Sequence, residues 1–214
     1  KLLENNLKRI SKINKINSLI RKEKKVPIIL GGEHTLSYFS IKSIANENPI
    51  IIHFDAHRDM KPIYDRKKIC HTTPFFHLID EGHVKGDNII QIGIRQSDKE
   101  ENDIAINKHV NTFTGWDINK DLKEVTRKIR ELTNNRNIYI TFDIDVYDIC
   151  YVPCTGTPEP FGLNPFQIIE ILKSINKTAI LIGIDMVEVA VKNGDYREGT
   201  LATQTLYRIL SNFY

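Results

Sequence analysis

The stretch "IIHFDAHRDM", residues 51–60, passes from an apolar run into polar groups at alternate positions: His53, Asp55, His57 and Asp59. In an extended backbone alternate residues face the same side. Two carboxylates and two imidazoles are thereby brought into one small volume. Unbalanced carboxylates packed that closely repel one another and lose hydration, so a positive charge is required among them. Asp143 and Asp145 repeat the alternation at the end of a second apolar run, "NIYITFD" (137–143). His34 follows Gly31 and Gly32, a pair that permits a tight turn and close backbone approach.

Together His34, Asp55, His57, Asp59, Asp143 and Asp145 offer four carboxylates and two imidazoles. One divalent ion leaves ligands unused. Two ions, bridged by a pair of carboxylates and a water, use all six. An oxygen-rich set with imidazole suits manganese, with zinc, iron and cobalt as alternatives. Two such ions sharing a water lower its pKa, which is hydrolytic chemistry. Each residue alone has a structural reading as a cap, a turn residue or half of a salt bridge. Their joint placement argues for a centre. His53 lies inside the strand and reads as a hydrogen-bonded core histidine, not a ligand.

The elements that position these groups alternate along the chain. Apolar runs at 26–30, 49–54, 88–94, 109–113, 137–143 and 179–189 are rich in Ile and Val and continuous, as strands covered on both faces should be. Helical patterns lie at 35–46, 73–81, 98–107, 119–134, 165–176 and 199–213, the fifth opened by Asn164 as cap and Pro165 in its first turn. This predicts an α/β fold, a three-layer α/β/α sandwich around a mostly parallel sheet. Ligands in such sheets gather at the carboxyl ends of the strands. "GGEH", "DAHRD", "DID" and "DMVEV" all follow strands, so every polar cluster falls at that edge.

Composition bounds the rest. At 214 residues, 41% hydrophobic and 27% charged, the chain fits one domain, 1–214. A net charge of +3 gives no nucleic-acid footprint. Much of the basic excess lies in residues 1–25, a helical pattern with Leu3, Leu7, Ile10, Ile13, Ile16 and Ile20 on one stripe and its cations as the solvated face. No apolar stretch reaches the ~20 residues of a membrane span. Cys70, Cys150 and Cys154 are too scattered for a disulfide framework and read as reduced thiols of a cytoplasmic protein.

The segments "GGEHTLS", "FDAHRDM", "ITFDIDVYD", "TGTPEPFGL" and "GIDMVEVA" resemble, in order, those of the ureohydrolase family of arginases and agmatinases. The resemblance implies an arginase-like fold, two Mn(2+) ions and hydrolysis of a guanidino group to urea and an amine. Carried over by position, His34 and Asp59 each hold one manganese, with His57 and Asp145 serving the other, and Asp55 and Asp143 bridge them. Glu188 binds the substrate guanidinium. Asp59 takes the proton of the attacking water, and His71, in "ICHTTPFF", is the mobile proton shuttle. His77 and His83 read as packing or surface residues. The His71 segment looks more like agmatinases than arginases, which implies agmatine, cleaved to putrescine. The resemblance also implies a homo-oligomer, a trimer or hexamer.

Departures from the family pattern are Arg58 for a small threonine, Thr72 for a glycine, Ile149 for a proline, and Cys154 and Phe161 for glycines. Phe161 could fill part of the pocket mouth. Arg58 could stand beside the metals or turn outward to pair with Asp65 or another carboxylate. Family members have further strands upstream of "GGEH", where this chain supplies only the basic helix. An N-terminus upstream of Lys1, and an edge covered by an oligomer, are both open. Arginine, guanidinobutyrate or formimidoylglutamate as substrate, with Arg58 or Arg95 as a cation for an acid, and a silent metal- or polyamine-binding relative are the alternative functions. No G-x-G-x-x-G follows the first strand, which disfavours a dinucleotide site.

Overall fold

A computed structural model describes residues 10–192 and 194–214. Six strands form one sheet: β1 (Ile28–Leu30), β2 (Ile50–Phe54), β3 (Ile89–Ile94), β4 (Asn111–Thr114), β5 (Asn137–Asp143) and β6 (Ile180–Val187). Every pairing is parallel, in the order β1-β6-β5-β2-β3-β4. From β2 the chain builds outward to β3 and β4, then returns to the other side of β2 for β5 and β6. The boundary between β2 and β5 is the point where the winding reverses, and crevices at such points open beyond the carboxyl ends of the strands.

Helices cover both faces, as continuous apolar strands require. On one side α2 (Thr35–Lys42), α3 (Pro74–Asp80) and α4 (Lys99–Asn107) pack Ile41, Phe75, Leu78 and Ala105 against Ile51, Ile89, Tyr139 and Ile182. On the other, α5 (Gly115–Lys120), α6 (Leu122–Leu132), α7 (Pro165–Ser174) and α8 (Arg197–Phe213) pack Ile118, Ile129, Ile171 and Ile209 against Ile52, Phe54, Ile140 and Phe142. The expected three-layer sandwich is the observed one. Alternate residues of β2 and β5 divide between the two cores, so His53, Thr141 and Asp143 share the α2–α4 face.

Helix α7 starts as expected: Asn164 and Gln167 form a capping box, and Pro165 sits in the first turn. The single helix predicted over 119–134 is two. Asp121 leaves helical geometry at φ −151°, ψ 77°, and its side chain accepts the Glu124 N–H to start α6. Thr114 and Asp117 cap α5. In the basic segment, helix α1 spans Lys12–Lys22, while Leu3 and Leu7 lie outside the described residues. The stripe is only partly the docking face: Ile16 is exposed, and buried Asn17 donates to Ser40 Oγ of α2 instead. Nor are all the cations solvated, because Arg21 makes a bidentate pair with Glu47. Among the described residues β1 forms one edge of the sheet, with Leu30 exposed on it.

Candidate metal centre

The ends of β1, β2, β5 and β6 supply the site. Gly31 donates its N–H to Met186 O, which ties the turn after β1 to β6. Its backbone runs so close to α2 that a Cβ there would lie 1.8 Å from Leu36 Cδ2. Gly32 meets nothing within 4 Å, so Gly31 carries the close approach. His34 then starts α2 with its ring buried. The alternation after β2 holds for Asp55 and His57 but not beyond. Asp59 reaches the cluster through a left-handed turn, φ 52°, a conformation uncommon for a side-chain-bearing residue. Glu188 has the same geometry, φ 58°. Strained backbone of this kind concentrates at functional sites.

The six residues meet. His34 Nδ1 stands 2.9 Å from Asp59 Oδ2, 3.1 Å from Asp55 Oδ2 and 3.4 Å from Asp143 Oδ2. His57 Nδ1 stands 3.0 Å from Asp145 Oδ2 and 3.4 Å from Asp55 Oδ1. Asp55 thus offers one oxygen to each imidazole. Main-chain N–H groups orient three of the carboxylates: Asp55 Oδ1 accepts from His57 N, Asp145 Oδ1 from Ala56 N, and Asp143 Oδ1 from Asp145 N. His53 is the core histidine expected, stacked on Phe75 and bonded through Nε2 to Asp55 Oδ2 at 2.7 Å.

Such a cluster balances its charge either by protons or by cations. Burial and the Asp55 charge lift Asp59 to about 7, and burial with the neighbouring aspartates lifts Asp143 well above the carboxylate range. Against the effect of burial, bonds to Asp145 and Asp55 raise His57 to about 12, and Asp143, Asp55 and Asp59 raise His34. Burial holds His53 down at about 4. Divalent cations displace protons from such groups. The residues fit a metal: His34 Nδ1 is a buried atom without a hydrogen-bond partner, and it faces three carboxylate oxygens.

A cavity of about 730 Å³ opens over the cluster, lined also by Glu33, Tyr64, His71, Thr72, Thr157 and Glu188. Glu188 Oε1 accepts the His34 N–H at 2.9 Å, and burial raises its carboxyl. His71 is half exposed on the facing loop, 3.5 Å from Glu33 Oε2, a bond that raises the imidazole. Glu33 stands next to His34 in the sequence, but nothing in its spacing marks it as a partner of His71. His77 and His83 lie off the site: His77 bonds Pro62 O, and His83 faces Glu81.

The two arginines take other places than expected. Arg58 is buried and turned from the cavity, where it donates to Gln91, Asn102 and Thr112, not to Asp65. Arg95 donates to carbonyl oxygens of Gly93, Asp145, Val146, Tyr147, Glu159 and Pro160, which joins the turn bearing Asp145 to the loop bearing Thr157. Phe161 does not fill the mouth: it is exposed and packs on Trp116 at 5.7 Å between ring centroids.

The chain matches the Arginase family model over residues 3–211 and belongs to that family. It is 36% identical over 172 residues to the mitochondrial agmatinase of Gallus gallus, covering 77% of this chain and 50% of that protein. It is 34% identical over 172 residues to the mitochondrial guanidino acid hydrolase of Homo sapiens, covering 77% and 48%. The solved structure of the agmatine ureohydrolase of Thermoplasma volcanium superposes with a TM-score of 0.85 at 26% identity, over 95% of this chain and 68% of that one. The chain thus spans about half the length of these two curated relatives.

Proposed function

We propose that this chain carries the active site of a manganese-dependent amidinohydrolase that converts agmatine to urea and putrescine. The observation that carries the reading is Asp55, whose two oxygens face His34 and His57 separately, as a carboxylate shared by two cations must. In this reading His34, Asp55, Asp59 and Asp143 hold one manganese, and His57, Asp55, Asp143 and Asp145 the other. When bound, the pair supplies Lewis acidity and lowers the pKa of a shared water.

The chain's own residues do the rest. Glu188 pairs with the planar guanidinium and fixes its carbon over the cluster, a gain in orientation more than in affinity. Asp59, which lines the cavity beside the cluster, takes the proton of the attacking water. His71 delivers a proton to the departing amine nitrogen, a task suited to a mobile imidazole. The walls favour a substrate cationic at both ends, because Glu33, Asp59 and Glu188 line the cavity while Arg58 and Arg95 are engaged elsewhere. Lys61, also lining it, pairs with Asp98. A cytoplasmic homo-oligomer, a trimer or hexamer, goes with this reading, and the three cysteines are free.

A colorimetric urea assay with manganese, run on agmatine, arginine and guanidinobutyrate, tests it. Agmatine is expected to give the highest rate. Urea from a guanidino acid alone would overturn the substrate assignment, and no urea from any compound would overturn the hydrolase.

A further inference from the structure

One row beneath the carboxylates, the sheet carries a second polar layer. Asp185 of β6 pairs in register with Thr141 of β5, Thr141 with His53 of β2, and His53 with Gln91 of β3. All four are completely buried. A row of polar side chains across four adjacent inner strands is costly unless every donor and acceptor is used. Here they are used, and in one sense only.

At one end stands an acceptor. Asp185 Oδ1 accepts the Thr141 hydroxyl at 2.7 Å, and Oδ2 accepts the Tyr139 hydroxyl at 2.6 Å. Thr141 has one proton, and the charged Asp185 Oδ1 at 2.7 Å takes it over Ser37 Oγ at 3.3 Å. The 3.0 Å contact between Thr141 Oγ1 and His34 Nε2 therefore requires the proton on Nε2. Nδ1 is then the ring nitrogen that faces Asp55, Asp59 and Asp143, and the one whose proton a cation would displace.

At the other end stands a donor. The Arg58 guanidinium, which has no acceptor, donates to Gln91 Oε1 at 2.7 Å. Together with the bond from Gln91 Nε2 to the Arg58 main-chain carbonyl at 2.9 Å, that fixes the amide so that Nε2 also points at His53 Nδ1, 3.3 Å away. His53 then carries its proton on Nε2 and donates it to Asp55 Oδ2 at 2.7 Å.

We propose that this in-register row, with the Asp185 carboxylate at one end and the Arg58 guanidinium at the other, is a positioning layer that sets the protons of His34 and His53 so that His34 Nδ1 and the Asp55 carboxylate present lone pairs to the cations. Arg58, the departure from the family pattern, is in this account a positioning residue and not a substrate-binding one. The inference rests on the binuclear centre proposed above.

The test is calorimetric titration of the metal-stripped chain with manganese(II), with melting of the stripped protein as the control on folding. The wild-type chain takes up two ions. Thr141→Val keeps the shape and removes the acceptor; one ion weakens ~10–100-fold while the other stays within about threefold, and Thr141→Ser restores the first to within about threefold. Arg58→Met removes the donor to Gln91 Oε1 and leaves the amide held only by the residue-58 carbonyl, so that a fraction turns. Imidazole ¹H–¹⁵N spectra of the stripped protein then show Nδ1-protonated His53 beside the single Nε2-protonated form of the wild type.

Unchanged manganese binding in Thr141→Val would overturn the layer, as would equal loss of both ions in Thr141→Val and Thr141→Ser. So would an Arg58→Met spectrum in which His53 keeps the single Nε2-protonated form. Fewer than two ions on the wild-type chain would overturn the binuclear reading itself, which separates that failure from failure of the row.

Discussion

Arg95 is the side chain whose removal should cost the fold most at the edge of the site. Its guanidinium faces six main-chain carbonyls, four of them at 2.7–3.1 Å and two at 3.3–3.4 Å, with the two Nη2 protons shared among Asp145 O, Tyr147 O and Glu159 O. A hydrogen bond from a charged donor contributes ~1.5–3 kcal/mol net, and one whose proton is shared between carbonyls contributes less. The four short contacts use three N–H groups, and taking ~1 kcal/mol for each gives a loss of about 3 kcal/mol for Arg95→Ala, a large share of the roughly 5–15 kcal/mol typical of a domain. Lysine has three donors and no fork, so Arg95→Lys should keep roughly half of that. Urea denaturation at constant m-value reads both variants. Because Arg95 holds the carbonyl of Asp145, manganese titration of Arg95→Lys should show weakening at the His57 side of the cluster first. A loss below about 1 kcal/mol in Arg95→Ala would refute the view that this side chain fastens the two loops.

Four further outcomes follow from named contacts. Glu188→Gln should lower kcat/KM for agmatine ~10–100-fold in steady-state kinetics, with the larger part in kcat, since an amide no longer holds the guanidinium carbon in place. Asp143→Asn should lower kcat at least ~1000-fold with the circular-dichroism spectrum unchanged; wild-type turnover would contradict the ligand set. Glu81 is held at about 2 against an ordinary value of 4.5: burial would raise it, and the bonds from Tyr38 and Lys42 bring it down. Its folded value lies below the unfolded one, so that stability is present above pH 4.5 and lost as pH falls toward 2; Tyr38→Phe should remove ~1 kcal/mol above pH 4.5 and flatten this acid limb. Phe161 sits at φ 62°, so Phe161→Gly should change urea stability by under about 1 kcal/mol, relief of the backbone offsetting the lost contact with Trp116.

Much of the fold was legible because its strands are continuous Ile and Val runs, and each run ends at or within two residues of an observed strand end. The split at Asp121 was not, because 119–134 keeps a helical pattern through it and the competing cap at Asp121 is a local choice. In the site, alternation found Asp55, His57 and Asp143 from a period of two, while Asp145, also singled out, arrives on a 3-10 turn after β5. It gave no account of Asp59, which arrives by a left-handed turn. Arg58 and Arg95 were misplaced because a long side chain's direction is set by acceptors from other strands, which only register reveals. The buried row did leave a trace: His53, Gln91, Thr141 and Asp185 are each a polar interruption inside an apolar run. Four such interruptions on four strands would have been grounds to suspect a common layer.

The winding of the sheet also fixes when the centre can come into being. Parallel neighbours cannot be joined by tight turns, and distant pairings form late because long loops must close first. Here β1 waits for β6, and the contact of Glu188 with His34 N spans 154 positions. As the chain emerges from the ribosome, the first imidazole is made long before its support exists. A nascent polypeptide short of residue 188 already holds all six proposed ligands, but the turn that carries His34 still lacks β6 and Glu188 to rest on, so ordered loading is expected only once β6 is in place.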